Sequence, residues 1–260
     1  MTAANKITIG CILMIPFFLL VTPCTVRSAD EDTARKPEAW DQSAAEKKIE
    51  ALGSLKDDLG IWLSLDSMEH GGVAWARFPI AVIATKELEI REKDGRKYMD
   101  FRLPGGVLEF KPAFKLGKLY TLCTWMLFPA PKKNAVVWQG DGPKKAGAAL
   151  YVTDKALFAW SATAQAPRQY GTLAAGTDGW HHLAVTADGK ETRAYLDGKL
   201  IGRIAEIVAT DLRSIGNHWE KPHQSWMMCA GLNDQFIFRR PLTAEEIQKV
   251  MQFGKPAAAK

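Results

Sequence analysis

Apolar and polar residues alternate along most of this chain, in short runs. Ile80–Ala84, Lys86–Arg91, Lys97–Arg102 and Gly106–Phe110 form one series, separated by turn residues. Ala135–Gln139, Ala148–Thr153 and Ala156–Ser161 form another, the last two joined at Asp154-Lys155. Tyr120–Leu127 is apolar at both parities, the pattern of a central strand buried on both faces. The clearest signal is Gly179–Gly202, GWHHLAVTADGKETRAYLDGKLIG, which predicts three strands turned at Asp188-Gly189 and Asp197-Gly198. Glycine supplies the positive φ that such turns require. Helical spacing shows only near the two ends. Ser43 with Glu46 has capping-box spacing ahead of Ile49 and Leu52, and Thr243 with Glu246 repeats it, with Leu242 and Ile247 at staple positions. The pattern predicts an all-β sandwich flanked by short helices, with no internal repeat.

Several of these segments also carry a family resemblance. Trp180, His182, Ala184 and Thr186, followed by Tyr195, Asp197 and Gly198, resemble the W-x-H-x-A-x-T and Y-x-D-G signature of laminin-G-like, concanavalin-A-like domains. Gly60–Asp66 resembles that family's first strand, Tyr120–Leu127 its core strand, and Gly231–Ile247 its final strand and C-terminal helix. Asn233 stands where the family usually has a strand aspartate, unless Asp234 takes that place through a shifted register. The resemblance implies a two-sheet antiparallel jelly roll over about Asp58–Phe253 and identifies a fold more than an activity. The expected organisation is residues 1–28 as signal peptide, 29–54 as linker and short helix, 55–253 as sandwich and 254–260 as tail.

Composition adds compartment and excludes one class of partner. Ile7–Val26 is uncharged and follows a lysine, and Val26-Arg27-Ser28 ends in a small residue, as in a secretory leader cleaved after Ser28 or Ala29. The alternative is an uncleaved anchor, although Pro16 and Pro23 interrupt the run. Either way the expected location is the cell envelope, the periplasm or the exterior, with membrane contact only if the segment stays. The net charge of +5 falls by two without Lys6 and Arg27. The remaining lysines are scattered, which excludes a nucleic-acid stripe. Loss of Cys11 and Cys24 with the leader leaves Cys123 and Cys229, either a disulfide or two buried thiols.

Candidate chemistry falls in four places. Glu87, Glu89 and Glu92 resemble the E-x-D-x-x-E strand of β-glucanases, where paired carboxylates serve retaining hydrolysis. The competing reading is a half-buried strand with Leu88 and Ile90 inward. His181 and His182 point to opposite strand faces and cannot chelate one metal together. Calcium is implied as a family option, with Asp141, Asp66 and Asp234 as candidate ligands but no EF-hand series. The polar-aromatic insertion Ile215–Met228 offers Trp219 and Trp226 as sugar-stacking faces and Asn217, His218 and His223 as hydrogen-bonding groups, with Trp138 a further candidate. The expected function is a non-catalytic module that binds glycan through rim loops. A protein-protein adhesion module of the envelope and a β-glucanase using Glu87 and Glu92 are the alternatives.

Overall fold

A computed structural model describes residues 43–66, 68–85, 88–101, 106–128, 135–141, 146–161, 164, 166–217 and 231–254. The expected leader and linker (1–39) and the tail beyond Gly254 lie outside these residues. Helix α1 (Ser43–Ile49) runs into a 3-10 segment, Glu50–Asp58, broken at Gly53 by a φ of 60° and ψ of −132°. The strands that follow are β1 (Leu59–Leu63), β2 (Val73–Ala76), β3 (Ala81–Ala84), β4 (Glu89–Lys93), β5 (Arg96–Asp100) and β6 (Leu108–Lys115). Next come β7 (Leu119–Phe128), β8 (Ala135–Asp141), β9 (Ala146–Val152), β10 (Ala156–Ser161) and β11 (Ala166–Thr172). The chain ends with β12 (Gly179–Asp188), β13 (Thr192–Leu196), β14 (Lys199–Ile204), β15 (Asp211–Ile215), β16 (Gly231–Phe238) and helix α2 (Ala244–Phe253).

The strands make the antiparallel two-sheet jelly roll that the pattern and the resemblance imply. One sheet has the order β14-β13-β12-β7-β16-β1-β2, with β5 also paired to β16 and β4 to β5. The other has the order β11-β10-β9-β8-β15-β6-β3. Three strands, β2, β11 and β15, were not legible as alternating runs. Strand β11 carries Pro167, which is tolerated because β11 is an edge strand.

Strand parity sorts the side chains into two cores. Leu122, Met126, Leu183, Val185, Leu232 and Ile237 pack between the sheets against Val137, Trp138, Leu150 and Leu212. Cys123, Ala184, Tyr195, Phe236 and Phe238, on the opposite parity, face outward and are covered by Ile49, Leu52 and Leu55 and by Ile247 and Val250 of α2. The N-terminal helical segment therefore packs on the sandwich rather than merely leading into it. Each of its buried leucines contributes about 1.5–3 kcal/mol of burial. Cys123 is a buried free thiol in this layer, and burial pushes its pKa up, so it packs as a small apolar group. Cys229 lies outside the described residues.

Candidate functional site

The site originates in a fork along one edge of β16. Its other edge pairs with β7, whereas this edge pairs first with β5 (Gly231↔Asp100, Leu232↔Met99) and then with β1 (Gln235↔Leu63, Phe236↔Trp62). At the change of partner the register with β7 shifts between Asn233 and Gln235, and Asp234 takes a left-handed φ of 46°. Such a bulge re-aims a side chain. Here it turns Asp234 into a cleft of about 760 Å³ between the end of β1, the β4–β5 hairpin and the ends of α1 and α2. Asp94 and Gly95, both at positive φ, make the tight turn that brings Glu92, Arg96 and Lys97 to its wall.

Trp62 and Phe253 supply the apolar side. Trp62 stacks on Phe236 (centroids 5.9 Å apart) and meets Phe253 edge-on at 5.6 Å, while Lys48 Nζ stands 5.8 Å from the Trp62 ring. The polar floor is Asp234 and Arg96. Trp62 Nε1 donates to Asp234 Oδ1 at 3.0 Å, and Asn233 Nδ2 donates to the Lys97 carbonyl. Arg96 lies against two indoles, 4.4 Å from the Trp125 ring and 5.1 Å from that of Trp180, and donates through Nη2 to the Gly254 carbonyl at 2.7 Å. Gly254 has no Cβ, and one there would stand 3.1 Å from both Asp234 Oδ2 and Trp125 Nε1.

Burial sets the electrostatics. It raises the Asp234 pKa to about 6, against the opposing effects of the Trp62 hydrogen bond and the Arg96 charge. It lowers that of Arg96 to about 10, with Asp234 acting the other way. His182, 1% exposed and edge-on to Trp125, is held neutral, its pKa lowered to about 3 by burial. Neither ring nitrogen of His182 has a hydrogen-bond partner among the described residues.

Three of the residues singled out from the sequence meet here. Asp66 and Glu92 are exposed on the rim and Asp234 sits on the floor. Others do not reach a ligand-facing position. Trp138 is 1% exposed, with its Nε1 bonded to Gln235 Oε1 at 2.7 Å, so it presents no stacking face. Asn217 is fully buried and its carbonyl accepts from Ser214 Oγ at 2.7 Å. The regular β4–β5 register puts Glu89 and Glu92 on opposite faces, and Glu89 instead pairs with Arg91 at 2.9 Å. That separation removes Glu89 from any carboxylate pair with Glu92. Glu87, His218, Trp219, His223 and Trp226 lie outside the described residues, as does the Asp141 side chain. For calcium the floor is a poor fit: Oδ1 of Asp234 is taken by an indole and the neighbouring charge is a guanidinium, whereas calcium requires six to eight oxygens. No three His, Cys, Asp or Glu side chains among the described residues stand close enough to hold an ion.

Arg96, Trp62, Trp125 and Phe253 were not singled out as site residues. In sequence they read as turn, strand and helix positions. The sequence signals that do meet in the cleft are the Asn233-Asp234 departure, which the bulge places there, and the acidic residues Asp66 and Glu92.

A two-sheet jelly roll with an open cleft of aromatic wall and polar floor defines a lectin-like or glucanase-like class of β-sandwich. The chain belongs to the concanavalin A-like lectin/glucanases superfamily, whose profile matches residues 106–248, just over half its length. No curated protein sequence matches it. Among solved structures it is similar to domain 4 of an extracellular arabinanase from Geobacillus stearothermophilus in complex with arabinotriose. The TM-score is 0.53 at 12% identity, over 76% of this chain and 98% of that one. The ligand binding domain of Botulinum neurotoxin serotype D with N-acetylneuraminic acid gives a TM-score of 0.58 at 11% identity, over 78% and 52%. Trypanosoma rangeli sialidase with the inhibitor DANA gives 0.54 at 14% identity, over 75% and 32%. The chain thus spans about half of the neurotoxin domain and a third of the sialidase. Strands β1, β4 and β5, which build one cleft wall, precede the residues that the family profile matches.

Proposed function

We propose that the protein is an exported, non-catalytic glycan-recognition module and that the sugar occupies the cleft at the fork of β16. The cleft's composition carries this reading: an aromatic wall of Trp62 and Phe253 faces Asp234, Arg96, Asp66 and Lys97, which supply acceptors and donors for ring hydroxyls. Structural neighbours solved with arabinotriose and N-acetylneuraminic acid support it at the level of the fold. The uncharged segment Ile7–Val26 supports export.

The test is a glycan array with the wild-type chain and the variants Lys48→Ala and Lys97→Ala. Both positions are exposed, so the fold is retained. Each variant should weaken the best glycan about tenfold, the worth of one hydrogen bond to a charged group. Equal binding by all three proteins rejects the cleft, and no binding to any glycan rejects the function.

One observation favours a hydrolase as second reading. Asp234, with its raised pKa, shares the cleft with the carboxylate of Asp66, the division of roles that acid-base cleavage of a glycosidic bond uses. Release of reducing sugars from an array-positive glycan, abolished in Asp234→Asn, would establish it. A glycan bound without turnover would leave recognition as the function.

A further inference from the structure

Arg96 is 4% exposed, yet among the described residues no carboxylate pairs with it and its only hydrogen bond is to the Gly254 carbonyl. Among the same residues its Nη1 has no partner, and neither does Nε1 of Trp125, 7% exposed beside it. A buried guanidinium is expensive unless an anion or several acceptors meet it. Asp234 lowers that cost through space, but it is committed to Trp62 and forms no ion pair with Arg96. Among the described residues, the guanidinium that lines the cleft thus has no counter-ion bonded to it, at the side of a cleft large enough for a sugar.

The geometry points to a ligand of narrower class: we propose that the cleft takes an acidic sugar and that the sugar's carboxylate seats on the Arg96 guanidinium. This rests on the glycan reading above. A planar carboxylate matches the fork of donors that a guanidinium presents, and the indoles of Trp125 and Trp180 flank that guanidinium. Lys47, Lys48 and Lys97 on the rim favour an anion, and Asp66 and Glu92 oppose it, leaving the cations in excess.

Asp234 then makes the affinity depend on pH. The charged groups facing it are Arg96 from β5, Lys48 from α1 and Asp66 after β1. Ionised, Asp234 repels a carboxylate seated beside it. Protonated, it offers a donor instead. Its pKa of about 6 places this change between neutrality and mild acid, above the range in which a sugar carboxylate itself protonates.

The experiment compares uronate and sialate oligosaccharides with their methyl esters, which lose the charge and gain a methyl group, by titration against the full chain at about pH 5 and about pH 7.5. The free acids should bind at least tenfold more tightly than the esters, and more tightly at the lower pH. Asp234→Asn should bring the affinity at the higher pH up to the low-pH value and abolish the pH dependence. Arg96→Gln, shown to be folded by its melting curve, should lose the preference for the acid. Esters or neutral sugars binding as well as acids overturn the proposal while leaving glycan recognition intact. So does a preference for sulfated sugars alone, or a pH dependence unchanged in Asp234→Asn. Absence of all glycan binding removes the underlying reading as well.

Discussion

Asp234 is the residue at which conformation, charge and site coincide. Its left-handed φ is one that few residues tolerate, aspartate and asparagine among them. Its pKa in the folded chain is about 6, against an ordinary value near 3.8, so the folded state retains a proton that the unfolded chain releases between these values. A raised carboxyl pKa means that stability is fully present below about pH 4 and is lost as pH rises through about 6. Asparagine keeps the backbone conformation and an oxygen for Trp62 Nε1 but does not titrate. Asp234→Asn should therefore be about 1–2 kcal/mol more stable than wild type at about pH 8, after discounting for partial exposure, and nearly equal to it at about pH 4. Melting curves at both values check this, and an equal gain at both would deny that burial of the charge is the cause. Little of this was legible in the sequence. Asp234 stood out as one of two adjacent residues competing for a strand position and as a candidate calcium ligand, and its place in the cleft stayed hidden because a bulge is a property of the partner strands' register. Arg96 looked like a turn residue because nothing local reveals that Trp125 and Trp180, far along the chain, will enclose it.

Elements were more legible, since their causes are local. Helix α2 has the cap its sequence announces: Glu246 N donates to Thr243 Oγ1 at 3.3 Å and Thr243 N to Glu246 Oε2 at 2.9 Å. Glu246 is also gripped by both Arg240 nitrogens at 2.7 Å, and Arg240 Nε reaches Asp58 Oδ2 at 2.6 Å, tying the helix start to the start of β1. Thr243→Ala should cost about 1 kcal/mol in chemical denaturation, and Thr243→Ser much less. A loss well under half that size would show that the arginine contacts hold the helix start without the cap. The turns at Asp188-Gly189 and Asp197-Gly198 lie where the dipeptides put them, with Gly189 at φ 92° and Gly198 at φ 74°. The strands the sequence did not announce are β2 and β15, four and five residues long, and the proline-bearing edge strand β11. In these, pairing with neighbours outweighs a weak local pattern.

At the scale of the molecule the sheets are joined by a buried polar tie at Trp138, which read as a ligand residue. An indole beside a Gly-Asp-Gly turn carries the pattern of a rim aromatic, but β8 faces its Nε1 across the core to Gln235 of β16 in the other sheet. Gln235 in turn donates to Thr124 Oγ1 on β7, and Thr124 donates to the Asn233 carbonyl at 3.2 Å, so the tie runs directly beneath the bulge that opens the cleft. A buried acceptor that loses its donor costs about 1–3 kcal/mol, whereas replacing both partners by apolar groups of similar shape can be close to neutral. Trp138→Phe should therefore be more destabilising in the wild-type background than in a Gln235→Met background. The coupling in a denaturation cycle should be about 1–2 kcal/mol. Additive effects would mean that the two sheets are held by packing alone. Coupling of the expected size would mean that the core also fixes the register of β16, and through it the position of Asp234 in the cleft.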